Sequence, residues 1–178
     1  SYDDGGMSGT NFYNDLALWN GNTWTMIESG SLKPNACSGA AMVYMENEDS
    51  YLLFGGSRFD GTNMLYYGDT WVLNGDQWYK ASVTGPSARS GAAMAYDSHR
   101  KVVVLFGGTE TAGYSTDGTW EWDGSEWTNV VTVSPEPGTG QMVYDTAAEK
   151  MIYYDSVSRK TFSYDGQTWE LLAENGPQ

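Results

Sequence analysis

The sequence predicts an all-β fold of four-stranded antiparallel meanders stacked on one another, and three observations carry that prediction. A short segment, Asn or Asp followed by Gly, two further residues and Trp, occurs four times: Asn20-Gly21-Asn22-Thr23-Trp24, Asn74-Gly75-Asp76-Gln77-Trp78, Asp123-Gly124-Ser125-Glu126-Trp127 and Asp165-Gly166-Gln167-Thr168-Trp169. Other marks recur at nearly constant spacing, the signature of a repeat architecture. The composition, 15% aromatic with 22 Gly and only 18% charged residues, suits a turn-rich sheet protein, and no long run has the apolar spacing of a helix.

Each Asn-Gly or Asp-Gly pair lies between β-prone runs. It therefore reads as a hairpin tip of the type I′ form, because both residues tolerate a positive φ. The run before each tip is aromatic or β-branched (residues 16–19, 70–73, 119–122 and 161–164), and the run after it starts at the repeated Trp. An indole at one fixed place in every copy is expected to pack between layers, where burying about 150–250 Å² is worth at most about 4–6 kcal/mol.

The remaining marks set the order within one period. Gly5-Gly6, Gly55-Gly56 and Gly107-Gly108 fall 50 and 52 residues apart, and Ser38-Gly39-Ala40-Ala41-Met42 returns as Ser90-Gly91-Ala92-Ala93-Met94 after 52. Pro34, Pro86 and Pro135 each precede Gly39, Gly91 and Gly140 by five residues. A small-residue strand a (39–45, 91–96, 141–144) leads to an apolar strand b (51–54, 102–106, 151–154). The Gly-Gly pair, a variable loop, strand c, the tip and strand d follow. A single meander cannot bury both faces, so copies must stack, with the Ala-rich a strands where sheets converge and the aromatic c and d strands at the periphery.

This pattern resembles the kelch repeat, the blade of kelch-type β-propellers, through Pro86-Ser87-Ala88-Arg89-Ser90-Gly91, Val103-Val104-Leu105-Phe106-Gly107-Gly108, Trp120 and Trp127. The resemblance implies one propeller-type domain over residues 1–178 with about three and a half blades. They are a half blade at 1–28 (strands c and d), blades at 34–82 and 86–132, and a degenerate blade at 135–173. In that last copy Tyr154-Asp155 replaces Gly-Gly, and Cys37 and Gly138 stand where Arg89 stands in the second. Fourteen strands in this phase do not close a familiar ring. The expectation is a portion of a larger propeller, or a chain completed by self-association or by a further propeller segment.

Antiparallel strands place the b-to-c and d-to-a connections on one side, and that side carries the long loops. Binding residues concentrate on loops held by a rigid scaffold. The candidate ligand-binding residues are Phe12, Tyr13, Arg58, Phe59, Asn63, Tyr66, Tyr67, Arg89 and Tyr114, with Asp60 beside them. Rings beside amides and guanidinium groups suit a glycan or a protein ligand.

The net charge of -14 and pI near 4.1 argue against nucleic acid, which needs a basic patch, and against an anionic membrane. One His (His99) and one Cys (Cys37) leave no multi-histidine metal site, no disulfide framework and no Ser-His-Asp or Cys-His system. Likeness to the copper oxidases among kelch-type propellers fails, since that site needs two histidines and a Tyr-Cys crosslink. Asp3-Asp4 and Glu46-Asn47-Glu48-Asp49 lack the pattern of a calcium loop. No cofactor is expected.

The sequence starts at Ser1 with no basic-then-apolar leader, and it reads as a processed or excised piece. Resemblance to bacterial kelch proteins implies an extracellular or cell-surface location. The expected function is a non-catalytic binding or assembly module. The alternatives are a carbohydrate-active enzyme similar to sialic-acid mutarotases, with Glu110 and Arg89 in a central funnel, and a structural subunit that polymerises through open blade edges.

Overall fold

The computed structural model describes residues 12–111, 118–130 and 133–176. Those residues form sixteen strands and no helix, and every strand pairing is antiparallel. The strands β1 (Leu16–Trp19) and β2 (Trp24–Ile27) make a two-stranded sheet. The first four-stranded sheet runs β3 (Ala41–Met45), β4 (Ser50–Phe54), β7 (Thr70–Asn74) and β8 (Gln77–Ala81). The second holds β9 (Ala93–Asp97), β10 (Val102–Phe106), β11 (Thr119–Trp122) and β12 (Trp127–Val130). The third holds β13 (Gly140–Asp145), β14 (Lys150–Asp155), β15 (Lys160–Tyr164) and β16 (Trp169–Ala173). Each of these is a meander, with chain neighbours paired in order.

One connection differs from expectation. The stretch between β4 and β7 is predicted as a variable loop, but it folds into its own hairpin of β5 (Ser57–Phe59) and β6 (Met64–Tyr66). Its turn is held by Asp60, whose Oδ1 accepts the Thr62 and Asn63 backbone N–H groups, both at 2.8 Å.

The sheets stack face to face, and β10 shows why its sequence is apolar at every position. Side chains alternate along a strand. Val103 and Leu105 enter one core with Met45, Leu52 and Phe54 of the first sheet and with Trp122 and Trp127. Val104 and Phe106 enter a second core with Met142, Met151, Tyr153 and Tyr164 of the third. A smaller cluster of Trp71, Leu73 and Trp78 meets Leu16 of β1. The strands β3, β9 and β13 lie beside one another, so the first strands of the three sheets do converge. Small side chains there let the backbones approach.

The repeated indoles follow one rule with one exception. Trp127 packs edge-on against Phe54 of the preceding sheet, and its Nε1–H donates to Thr70 Oγ1 at 2.8 Å. Trp169 packs against Phe106, and its Nε1–H donates to Thr119 Oγ1 at 2.9 Å. Trp78 is buried against Leu16 of β1. Trp24, expected in a layer, is instead 68% exposed, because no sheet lies in front of β1 and β2 among the described residues.

The tips also differ from the type I′ expectation. Only their Gly residues take a positive φ, and the Asn or Asp does not. At three tips Asn20, Asp123 and Asp165 instead turn a side-chain oxygen back to accept the backbone N–H groups two and three residues on. That local bond satisfies the turn without a left-handed Asn or Asp.

Candidate loop-face site

The side of the stack where strands b end and strands c begin is stitched by backbone bonds. Ser38 exchanges N–H···O bonds with Ser57, and Ser90 exchanges them with Thr109. The Gly pairs receive the linker of the following sheet. The Gly56 N–H donates to Arg89 O at 2.8 Å, and the Gly108 N–H donates to Gly138 O at 3.2 Å. A Cβ at Gly55 would stand 2.4 Å from Arg89 O, and one at Gly107 would stand 2.6 Å from Gly138 O. These glycines also have φ of 76° and 69°. Close approach and a left-handed backbone together explain the Gly-Gly mark.

The position shared by Cys37 and Arg89 sits inside this stitching. The Arg89 guanidinium donates from Nη1 to Gly107 O at 3.1 Å and to Ser87 through Nε and Nη2. Cys37 Sγ lies 3.9 Å from Gly55 O, the matching carbonyl one repeat earlier, and burial pushes its thiol pKa up. Arg89 is only 3% exposed. Its charge is committed to holding the linker, and it does not share the exposed surface of the other candidates.

The β5–β6 hairpin brings Arg58, Phe59, Asn63 and Tyr66 together, with Tyr67 directly after it. Phe59 and Asn63 are exposed, whereas Arg58, Tyr66 and Tyr67 are half-buried. Tyr67 is tied in by its backbone, donating to Gly56 O and accepting from the Arg89 N–H. Phe12 is half-buried and Tyr13 exposed, both ahead of β1. Tyr13 borders a separate cavity of about 170 Å³ with Pro34, Cys37, Ala40 and Trp78. Tyr114 lies outside the described residues.

Two further residues join the surface. Met64 is paired with Phe59, and Leu65 with Arg58. Met64 and Leu65 are exposed by 49% and 39%, and Phe59 by 48%. The signal for them is Asp60-Gly61 between Ser57-Arg58-Phe59 and Met64-Leu65-Tyr66, the dipeptide that also marks the tips at 123 and 165. The Asp60 carboxyl is held below the usual carboxylate range by the Asn63 and Thr62 N–H groups it accepts, so it stays charged at the tip. Phe59 and Met64 share one face of the hairpin, whereas Leu65 shares the other with Arg58. The hairpin therefore presents an apolar Phe59–Met64 ridge beside the fixed negative charge of its tip.

Elsewhere, a cavity of about 330 Å³ opens along the convergent strands, lined by Gly39, Ala41, Gly91, Ala93, Gln141 and Met142 among others. Among the described residues, no titratable group lines it. His99 lies on the opposite side, in the turn after β9, exposed and 3.5 Å from the Glu149 carboxylate. Arg100 there bridges Asp97 (2.7 Å) and Glu121 (2.6 Å), and Tyr164 donates to the same Glu121 oxygen. This network joins the second and third sheets. Among the described residues, no three His, Cys, Asp or Glu side chains group as metal ligands. No protein-family model matches the chain.

Proposed function

We propose that the chain is a segment of a kelch-type β-propeller acting as a non-catalytic binding module, with the β5–β6 hairpin as its ligand-contacting element and a protein as its ligand. Support for the propeller reading comes from the three stacked meanders, the side-by-side first strands and the indole rule between sheets. The observation that carries the binding reading is the ridge of Phe59 and Met64, cross-strand partners on one face of the hairpin. These two large apolar side chains stand out to solvent beside an Asx-capped turn. Exposed apolar side chains grouped on a preformed element favour a protein partner. The apolar pair supplies an anchor, and the charged Asp60 carboxylate at the tip supplies a group to pair.

The test is selection of binders from a random peptide display library on the immobilised chain, run in parallel with a glycan array. Peptides are expected to bind the native chain and to lose at least about tenfold in affinity, near 1.4 kcal/mol, on Phe59→Ser or Met64→Ser with the melting temperature unchanged. Selected peptides that bind both variants as well as the native chain refute the role of the hairpin. Glycan binding without peptide binding reassigns the ligand class.

A further inference from the structure

The contact between sheets has two halves, and the two ends of the stack each carry one half unused. The receiving half is an aromatic ring on strand b beside a Thr on strand c. Phe54 pairs with Thr70 in the first sheet, Phe106 with Thr119 in the second and Tyr154 with Thr161 in the third. The first two receive Trp127 and Trp169. Thr161 Oγ1 accepts no hydrogen bond among the described residues, and Gly176 lies against the Tyr154 ring. The inserting half is an indole at the start of strand d. At the front of the stack Trp24 stands 68% exposed.

The front is already set in the interior geometry. Trp19 and Trp24 are cross-strand partners with centroids 5.4 Å apart and planes at 45°, against 5.5 Å and 53° for Trp122 and Trp127 inside the stack. Trp19 (48%) and Met26 (60%) extend the same exposed face, since residues opposite and two apart share a side of the sheet. The rear face carries Val143, 61% exposed, beside Ile152.

We propose that the front of one copy docks on the rear of a second copy of this chain, with Trp24 donating to Thr161 Oγ1 and its ring against Tyr154 as Gly176 moves aside. The inference rests on the stacked-sheet reading above and names the partner for its open ends. The contact joins two different surfaces, so it builds a closed ring or an open chain of subunits. Each copy carries a charge of -14; salt screens that repulsion, and association strengthens with ionic strength.

Sedimentation across a dilution series, at low and high salt, tests this with the native chain, Trp24→Ser and Thr161→Arg. The native chain is expected to associate, and each variant to associate at least about tenfold more weakly. An equimolar mixture of the two variants retains one intact front and one intact rear, so it is expected to form a heterodimer and stop there. A native chain that stays monomeric at every concentration means that some other strand-bearing segment covers these faces, and it overturns the proposal. So does native-like association by either variant, or a mixture that stays monomeric. Peptide binding at the Phe59 ridge is expected in both variants, so loss of assembly and failure of the binding reading are told apart.

Discussion

The bond from Trp127 Nε1 to Thr70 Oγ1 is the most direct test of how the sheets are held. Both residues are buried, at 6% and 3% exposure, and the separation is 2.8 Å. Thr70→Val keeps the side-chain shape and removes the acceptor. The indole N–H is then stranded away from water, at a cost of about 1–3 kcal/mol. For a chain of this size each kcal/mol moves the melting temperature by about 2–4 °C, so a fall of about 2–12 °C is expected. Trp127→Phe removes the donor and part of the ring, and it costs more through lost packing against Phe54. The two changes share one bond, so the double variant should be less destabilised than the sum of the singles by about 1 kcal/mol. Urea titrations of the four proteins, with the slope checked for constancy, measure that difference. Additivity within about 0.3 kcal/mol would show that the hydrogen bond contributes nothing and that only apolar packing holds the sheets.

Other perturbations follow from the same contacts. Thr119→Val should cost less than Thr70→Val, because Trp169 is only half-buried and its N–H can regain water; thermal melts compare the two. Gly55→Ala places a Cβ 2.4 Å from Arg89 O at a φ of 76° and should destabilise by more than the roughly 1–3 kcal/mol of left-handed backbone strain alone. Gly21→Ala, with a φ of 95° and open space around it, isolates the backbone part and should cost less in the same denaturant assay. Asp97 gives a pH test. Burial raises its pKa, but the Arg100 backbone N–H and guanidinium outweigh that and hold it below the usual aspartate value. A depressed folded-state pKa means that the stabilisation is complete above about pH 4 and is lost as the pH falls through the folded value. Asp97→Asn should therefore be less stable than the native chain at neutral pH and lose less stability on acidification. An unchanged acid slope would remove Asp97 from the account.

Much of the fold is legible in the sequence because its signals are local. Gly-containing tips, alternating apolar runs and small-residue strands each fix a turn or a strand face within a few residues. Repetition about every fifty residues then aligns them into meanders whose observed pairings follow the predicted order. The apolar run 102–106 could have been a strand buried on both faces or a segment of another kind. Its neighbours decided in favour of the former by placing a core on each side. The β5–β6 hairpin was readable from Asp60-Gly61, but its short arms lack the strong alternation of the longer strands.

What the sequence alone determined is the strands of the meanders, the positions of their turns and the fourfold recurrence of Trp, all set by backbone preference and side-chain period. Whether a given Trp is core or surface was decided only by what stands in front of it. Trp127 and Trp24 occupy the same place in the repeat, yet one is enclosed by Phe54 and Thr70 while the other faces solvent. Arg89 was likewise decided by the tertiary structure: its residue type suggests ligand binding, and its neighbours turn it into a bond between linker and strand. Burial depends on partners distant in the chain, and a local pattern carries no information about which partner is present.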